Sequence, residues 1–481
     1  MTKDLTKGRP LTLILQFGLP ILLGMLFQQM YNMVDTAIVG KFLGGNALAA
    51  VGATGSINFL VVGGSIGICS GFAIPIAQRF GAGDYDSLRK YVAGAVYCCL
   101  FFGVLITTVT VLFSRNILEL MRTPADIIDL SWAYITTIFA GIPGYILYNM
   151  CSGILRSLGD SRTAVIWLVI ASVTNVALDL FFIINLQWGV FGAAFATTLS
   201  QCLAGFGSLW KVCRGFDVLK MHKSDWAWSW PRIRNLLSLG LPMGLQFSIT
   251  AIGSVMIQSA VNVLGTMYVT ATTAANKVSI FLSCPLEAMG STMATYGGQN
   301  VGAKKWDRLG QGLRSCCLLG VGYSLFALMV VLLAGDKLVM LFLDQASAYL
   351  VPYAIQMLRT LVFCYLLLAA IHIFRNYIQG MGFSPLATFA GVMEMIARAG
   401  VSFLVPIFGY TAACFASPAA WVLADLFLIP AYFYCVKVLN SVSPPSGNKR
   451  KHPKRGVETV KEPLRWVLFD KGKRLFLTMI T

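Results

Sequence analysis

Residues able to do chemistry are scarce in this chain, and those that stand out lie inside apolar stretches. Asp35 sits near the end of a run from Leu11 to Gly40 that is long enough to cross a bilayer, and Gln28, Gln29 and Asn32 crowd the same half of it. A carboxylate inside such a segment costs about 2.5–3.5 kcal/mol on insertion scales, which makes it a functional-site candidate by default. The alternative is a carboxylate close enough to Lys41 and the interface to stay hydrated. Asn175 and Asp179 are spaced i, i+4 and so share one helical face. Thr197 lies in the next apolar segment, which a short link through residues 185–189 returns antiparallel. Two carboxylates, an amide and a hydroxyl could thus converge. Oxygen donors of this kind suit a hard cation, and carboxylates buried together also bind protons readily. The alternative is an interhelical hydrogen-bond cluster with no exchange role.

Other polar groups within apolar segments are fewer and more scattered. Gln258 falls near the place of Asp35 in the second half of the chain, and Asn149 and Glu287 join Gln28 and Asn32 as candidate lining of a substrate cavity. Glu287 could equally be a helix-terminal carboxylate near water. Glu394 and Arg398 form an i, i+4 pair, read as a neutralised ion pair within the membrane. Only Lys277, Arg359 and Arg398 are counted as basic residues within spans. Pro20 and Pro242 each remove a backbone donor from an apolar segment and favour a bend there. Gly63-Gly64-Ser65-Ile66-Gly67 matches the G-x-S-x-G string of serine hydrolases, but inside a span instead of at a strand–helix elbow. With His222, His372 and His452 the only histidines and no CxxC spacing among twelve cysteines, neither a histidine metal site nor a disulfide framework is expected. No phosphate loop is present, so neither an enzyme nor an ATP-driven pump is expected.

The elements that must position these groups follow from composition. Hydrophobic residues make up 57% of the 481 residues and charged ones only 12%, at a mean hydropathy of +0.72. Soluble domains carry about 25% charged residues, so this is an all-α polytopic membrane protein. The first apolar run is too long for a cleavable signal. The net charge of +17 is topological: most Lys and Arg fall in alternate loops and at the two ends, which places both termini in the cytoplasm and implies an even number of spans, with no role in nucleic-acid binding. Twelve spans are expected. The boundaries read as a cytoplasmic N-terminus (1–10), a first lobe of six spans (11–212), a basic linker loop (213–234), a second lobe of six spans (235–438) and a basic cytoplasmic tail (439–481). The tail is polar and compositionally disordered, and its last part, from Leu464, mixes bulky apolar with basic residues.

An internal repeat sets the two halves in register. Gly18-Leu19-Pro20 recurs as Gly240-Leu241-Pro242, the stretch from Gln78 to Leu88 as Gln299 to Leu309, and Gly153 to Gly159 as Asn376 to Gly382, at offsets of 222, 221 and 223 residues. Each half has an even number of spans, so the repeat is parallel, a transporter architecture with a substrate site between halves. The second half does not repeat the polar set: Arg398 takes the place of Asn175 and Ser402 that of Asp179.

These features together resemble the multidrug and toxic compound extrusion (MATE) family over roughly residues 10–440, and most nearly its DinF-type branch. The resemblance implies a first-lobe cation site at Asp35, Asn175, Asp179 and Thr197, which would be metal ligands only if the coupling ion were Na⁺, with Pro20 as the bending proline. Spans 7 and 10 lack the carboxylates of the NorM-type branch, so no second-lobe site of that kind is expected. The implied function is export of amphipathic, cationic organic compounds in exchange for H⁺ or Na⁺, by a monomer in the cell (plasma) membrane, with no other cofactor. A lipid-linked oligosaccharide flippase is the alternative of similar architecture, disfavoured by the few basic residues within spans.

Overall fold

The computed structural model describes residues 3–343 and 345–442, and the basic tail from 443 onward lies outside them. Within that range the chain is helical throughout. The first half comprises α1 (Pro10–Leu43), α2 (Gly45–Ala53), α3 (Gly55–Gly81), α4 (Tyr85–Leu120), α5 (Ile128–Ala140), α6 (Ile142–Ser157), α7 (Ser161–Leu180) and α8 (Gly189–Arg214). The second comprises α9 (Trp230–Val263), α10 (Thr266–Gly302), α11 (Trp306–Met340), α12 (Val351–Phe363), α13 (Tyr365–Gly380), α14 (Ser384–Phe408) and α15 (Tyr410–Val442). Among the described residues nine helices are long and apolar enough to cross a membrane, and eleven spans result when the bent pairs α5–α6 (43°) and α12–α13 (49°) each count as one. Helix α10 brings the layout to twelve. At 37 residues it is ample to span, but Thr270, Thr272, Thr273, Asn276, Lys277 and Glu287 lower its hydropathy. Both Pro20 and Pro242 lie inside unbroken helices of 34 residues.

Two hydrophobic cores divide the molecule into lobes. One runs through α3–α8, with Phe72, Leu88, Ile138 and Leu155 fully buried; the other runs through α10–α15 around Tyr296, Tyr365 and Tyr377. The start of α1 (Ile14, Phe17, Ile21) belongs to the second core, so α1 crosses from one lobe to the other. Helix α9 makes the reciprocal crossing against α3.

The lobes meet at one end through a seam that repeats itself by pseudo-two-fold symmetry. A Cβ on Gly81 would lie 2.0 Å from the Gln299 carbonyl oxygen, and one on Gly302 would lie 1.8 Å from that of Gln78. Gln78 Nε2 donates to the Gly380 carbonyl at 3.3 Å, while Gln299 Nε2 donates to the Ser157 carbonyl at 2.9 Å. The N-terminal segment fills the same seam: Leu5 is fully buried, its N–H donates to Gln299 Oε1 (2.9 Å), and Arg308 and Lys305 donate to carbonyls of Leu5, Thr6 and Gly8. At the other end, Gly44 and Gly265, in the α1–α2 and α9–α10 turns, have open space around them. The lobes are closed on each other at the end that carries Lys3, Arg79, Arg156, Arg214, Lys304 and Lys305.

The α3–α9 crossing also explains the G-x-S-x-G string. A Cβ on Gly67 would sit 2.6 Å from the Met243 carbonyl oxygen, and one on Gly71 would sit 2.5 Å from Gly240 Cα. Close backbone approach is what small residues at helix crossings permit in membranes. Ser65 Oγ donates to the Val61 carbonyl of its own helix.

Candidate functional site

Helices α1 and α7 run parallel in register, and this register brings the first-half carboxylates together. At the closed end, Ser161 Oγ donates to the Phe17 carbonyl at 2.9 Å. Further along, Gly24 gives α1 room against Val165, whose Cγ2 would lie 3.0 Å from a Cβ there. Asp35 and Asp179 each lie eighteen residues beyond that first contact, about 27 Å along their helices at 1.5 Å per residue. Their carboxyl groups consequently face each other. Asp179 is fully buried, and apart from each other Asp35 Oδ1 and both Asp179 oxygens have no hydrogen-bond partner. Buried polar atoms are normally paired, so three orphaned oxygens at one point mark a place where a proton or cation supplies what the protein does not.

The remaining two oxygen donors arrive by a tight return of the chain. Helix α7 loosens into a π-helical turn over Phe181–Asn185, and Gln187 (φ 53) and Gly189 (φ 60) reverse direction in the left-handed region. Trp188 stacks on Phe182, 5.0 Å between centroids, and fixes the start of α8. Thr197 then stands opposite Asn175, whose Nδ2 donates to Thr197 Oγ1 at 3.3 Å, while the Thr197 hydroxyl donates to the Ala193 carbonyl. Asn175 Oδ1 is left buried and unpartnered. The site therefore joins α1, α7 and α8.

Tyrosines complete it, and sequence reasoning did not single them out. Tyr31, one turn before Asp35, Tyr134 of α5 and Tyr145 of α6 all lie within electrostatic reach of Asp35, and Gln28 and Gln201 approach the Tyr31 hydroxyl. The available signal was the placement of phenols within apolar segments, where a hydroxyl needs a partner.

The remaining candidates are not drawn into this site. Asn149 Nδ2 donates to the Tyr145 carbonyl of its own helix at 2.8 Å. Asn32 is exposed, and its carbonyl accepts from Thr36. Gln258, exposed on α9, donates to Asn262 Oδ1 at 2.8 Å, and Glu287 is exposed on α10, both in the other lobe. An open cavity of about 670 Å³ lies instead at the α3–α9–α14 seam, lined by Leu60, Ile68, Leu241 and Leu245 with Ser65 and Thr388, away from the carboxyl pair.

The second lobe holds a charged cluster larger than the Glu394–Arg398 pair. Arg375, counted outside the spans from the sequence, is buried on α13 and pairs with Glu394, which also receives Arg398 Nη2 at 3.3 Å. The span continues to Gly380 as α13, the second half of the pair bent at Cys364. Asp425 of α15, a lone carboxylate in an apolar run, is buried beside them with both oxygens unpartnered.

A profile of the MatE family matches residues 20–181 and 242–404, one block in each lobe. The chain belongs to this family. Its members are transporters and not enzymes, so this is a multi-pass MATE transporter of the membrane. Among curated relatives it is similar to the probable multidrug resistance protein YpnP of Bacillus subtilis, 26% identical over 79% of this chain and 84% of that one. It is also similar to YoeA of the same organism, at 28% over 71% and 75%. Among solved structures, a MATE protein in complex with MaL6 superposes with a TM-score of 0.86 at 22% identity, covering 92% of this chain and all of that one. An outward-facing multidrug resistance MATE transporter gives 0.85 at 22%, over 91% and 99%. These two likenesses establish the two-lobe fold.

Proposed function

We propose that this MATE transporter is an antiporter of the cell membrane, exporting amphipathic, cationic organic compounds in exchange for H⁺ or Na⁺ bound at Asp35, Asn175, Asp179 and Thr197. The observation that carries the reading is the facing carboxyl pair with three orphaned oxygens. The names of the relatives as multidrug resistance proteins support the substrate class.

In this reading the molecule opens between the lobes toward the outside. Its closed end carries the basic residues, which the positive-inside rule assigns to the cytoplasm together with both termini. An external cation or proton enters between the lobes and neutralises Asp35 and Asp179. The lost negative charge weakens their attraction for a positively charged compound, which leaves outward. Reversal of the lobes then carries the cation inward. Pro20, fifteen residues before Asp35 on α1, is the point at which that helix bends as its charge changes. One charge crossing 100 mV supplies about 2.3 kcal/mol, enough for nearly 50-fold accumulation. The transporter acts as a monomer, with no nucleic-acid partner and no further cofactor.

A flippase of the same architecture would need basic residues free to meet a pyrophosphate. Arg375 and Arg398 converge on Glu394 instead, which argues for the antiporter. The test is efflux of a cationic dye from proteoliposomes under separate ΔpH and Na⁺ gradients. Uphill export driven by one of them, and lost in Asp35→Asn, is expected; full gradient-driven export by Asp35→Asn would overturn the assignment.

A further inference from the structure

The second lobe buries four charged side chains that the antiport reading does not use. Glu394 lies between Arg375 of α13 and Arg398 of its own helix α14, and Asp425 of α15 approaches Arg375 without accepting a hydrogen bond at either oxygen. All four are at least nine-tenths buried. Two guanidiniums on one carboxylate leave a surplus positive charge, which an ionised Asp425 would cancel. An ionised carboxylate with two empty oxygens is, however, among the costlier things to bury, and a neutral acid is far cheaper.

We propose that this cluster is a proton-binding switch in the second lobe, in which a proton on Asp425 decides whether Arg375 pairs with Glu394 or with Asp425. The arrangement seen here is the protonated one: Asp425 carries its proton as a neutral acid and Arg375 serves Glu394. When the Asp425 O–H bond gives its proton to water, the resulting carboxylate draws Arg375 from α14 toward α15. The groups that bear on Asp425 are few. Arg375 of α13 bears on it directly, and the half-buried His372 of α13 together with Glu394 and Arg398 of α14 bear on Arg375. Arg359 of α12 and Lys437 of α15 are exposed. The exchange has a route to the rest of the molecule. Arg398 Nη1 packs 3.1 Å from where a Cβ on Gly253 of α9 would stand, and Thr388 Oγ1 of α14 donates to the Pro242 carbonyl of α9 at 2.8 Å. Loosening α14 therefore acts at the proline of the helix that crosses between lobes.

The switch is tested apart from the first-lobe site by infrared spectroscopy of the full chain in nanodiscs, in an Asp35→Asn/Asp179→Asn/Glu287→Gln background. A carboxylic-acid C=O band that disappears on raising pH is expected in that background and is lost in Asp425→Asn. Adding Glu394→Gln instead frees Arg375 for Asp425 and moves the disappearance of the band to lower pH by about one unit or more. Each variant is required to elute as a monodisperse peak, and the Glu394→Gln shift provides an independent readout should Asp425→Asn misfold. A band that survives Asp425→Asn, a background with no such band, or a Glu394→Gln spectrum with no shift overturns the proposal. None of these outcomes depends on whether the first lobe couples transport.

Discussion

The two lobes share a skeleton and differ in almost everything titratable. Positions about 222 residues apart hold the same backbone duties. Gly81 and Gly302 each lie against the backbone of the other lobe's glutamine, Gln78 and Gln299 each donate to a carbonyl across the seam, and Gly141 and Cys364 each mark a break of more than 40°. At the same offsets the chemistry parts: Asp179 faces Asp35 and Asn175 bonds Thr197 in one lobe, while Arg398 and Ser402 stand in the places of Asn175 and Asp179 in the other, with Arg398 bound to Glu394. Backbone contact admits few residue types, whereas a polar cavity wall admits many so long as its charges balance. Duplication therefore preserves the former and lets the latter diverge.

The comparison can be broken most severely at the seam. Gly302→Val and Gly81→Val each place a side chain where a backbone carbonyl already lies within 2.0 Å, and both are expected to abolish a monodisperse protein on size-exclusion chromatography. An unaffected Gly81→Val beside a ruined Gly302→Val would show that the symmetry is only formal.

Next in size is the split between lobes. Asp179→Asn is expected to reduce gradient-driven efflux at least ~10-fold, an effect on the order of 1.4 kcal/mol. Ser402→Ala, at the matching position, is expected to leave efflux within about twofold, since its hydroxyl only donates to the Arg398 carbonyl of its own helix. The double variant Asp35→Asn/Asp179→Asn should lose no more than either single one, because neighbouring groups acting as a pair are not additive.

A smaller asymmetry lies within the matched glutamines. Gln299 is fully buried and makes two bonds, to Leu5 N–H and the Ser157 carbonyl, whereas Gln78 is half-buried with one longer bond. Gln299→Leu should cost about 1–3 kcal/mol in thermal unfolding and Gln78→Leu under about 1 kcal/mol.

The smallest effect belongs to the connection between halves, which occurs only once. Burial pushes the Asp225 carboxyl up, but the His222 N–H (2.9 Å) and Arg89 (3.1 Å) outweigh it and hold the group below its usual range. A lowered carboxyl contributes stability above its ordinary value near pH 3.9 and loses it as pH falls through the lower folded value. Wild type should thus exceed Asp225→Asn in melting temperature at pH 6, and the gap should close as acid protonates Asp225.

The helical class, the tandem halves and the family were legible in the sequence because each is written in local or periodic terms: length of apolar runs, alternation of basic loops, and strings repeated at one offset. Asp35, Asn175, Asp179 and Thr197 stood out for the same reason, as polar groups where lipid permits few. The tyrosines around Asp35 did not, because a phenol in an apolar run is ordinary until a carboxyl is found beside it. Arg375 was lost at a misplaced span end, and Asp425 was overlooked although a lone carboxylate in Ala420–Pro430 was the same signal that drew attention to Asp35.

What the sequence determined by itself, then, is which groups are costly to bury and how the chain is doubled, since both follow from residue type and spacing. Only the tertiary structure decided how those groups are paired. The eighteen-residue register of α1 on α7 sets Asp35 against Asp179, and the packing of α13, α14 and α15 gives Glu394 two arginines and Asp425 none of its own. Pairing depends on the rotation and offset of helices brought together from distant parts of the chain, and these are fixed by close packing between helices and not by any local preference.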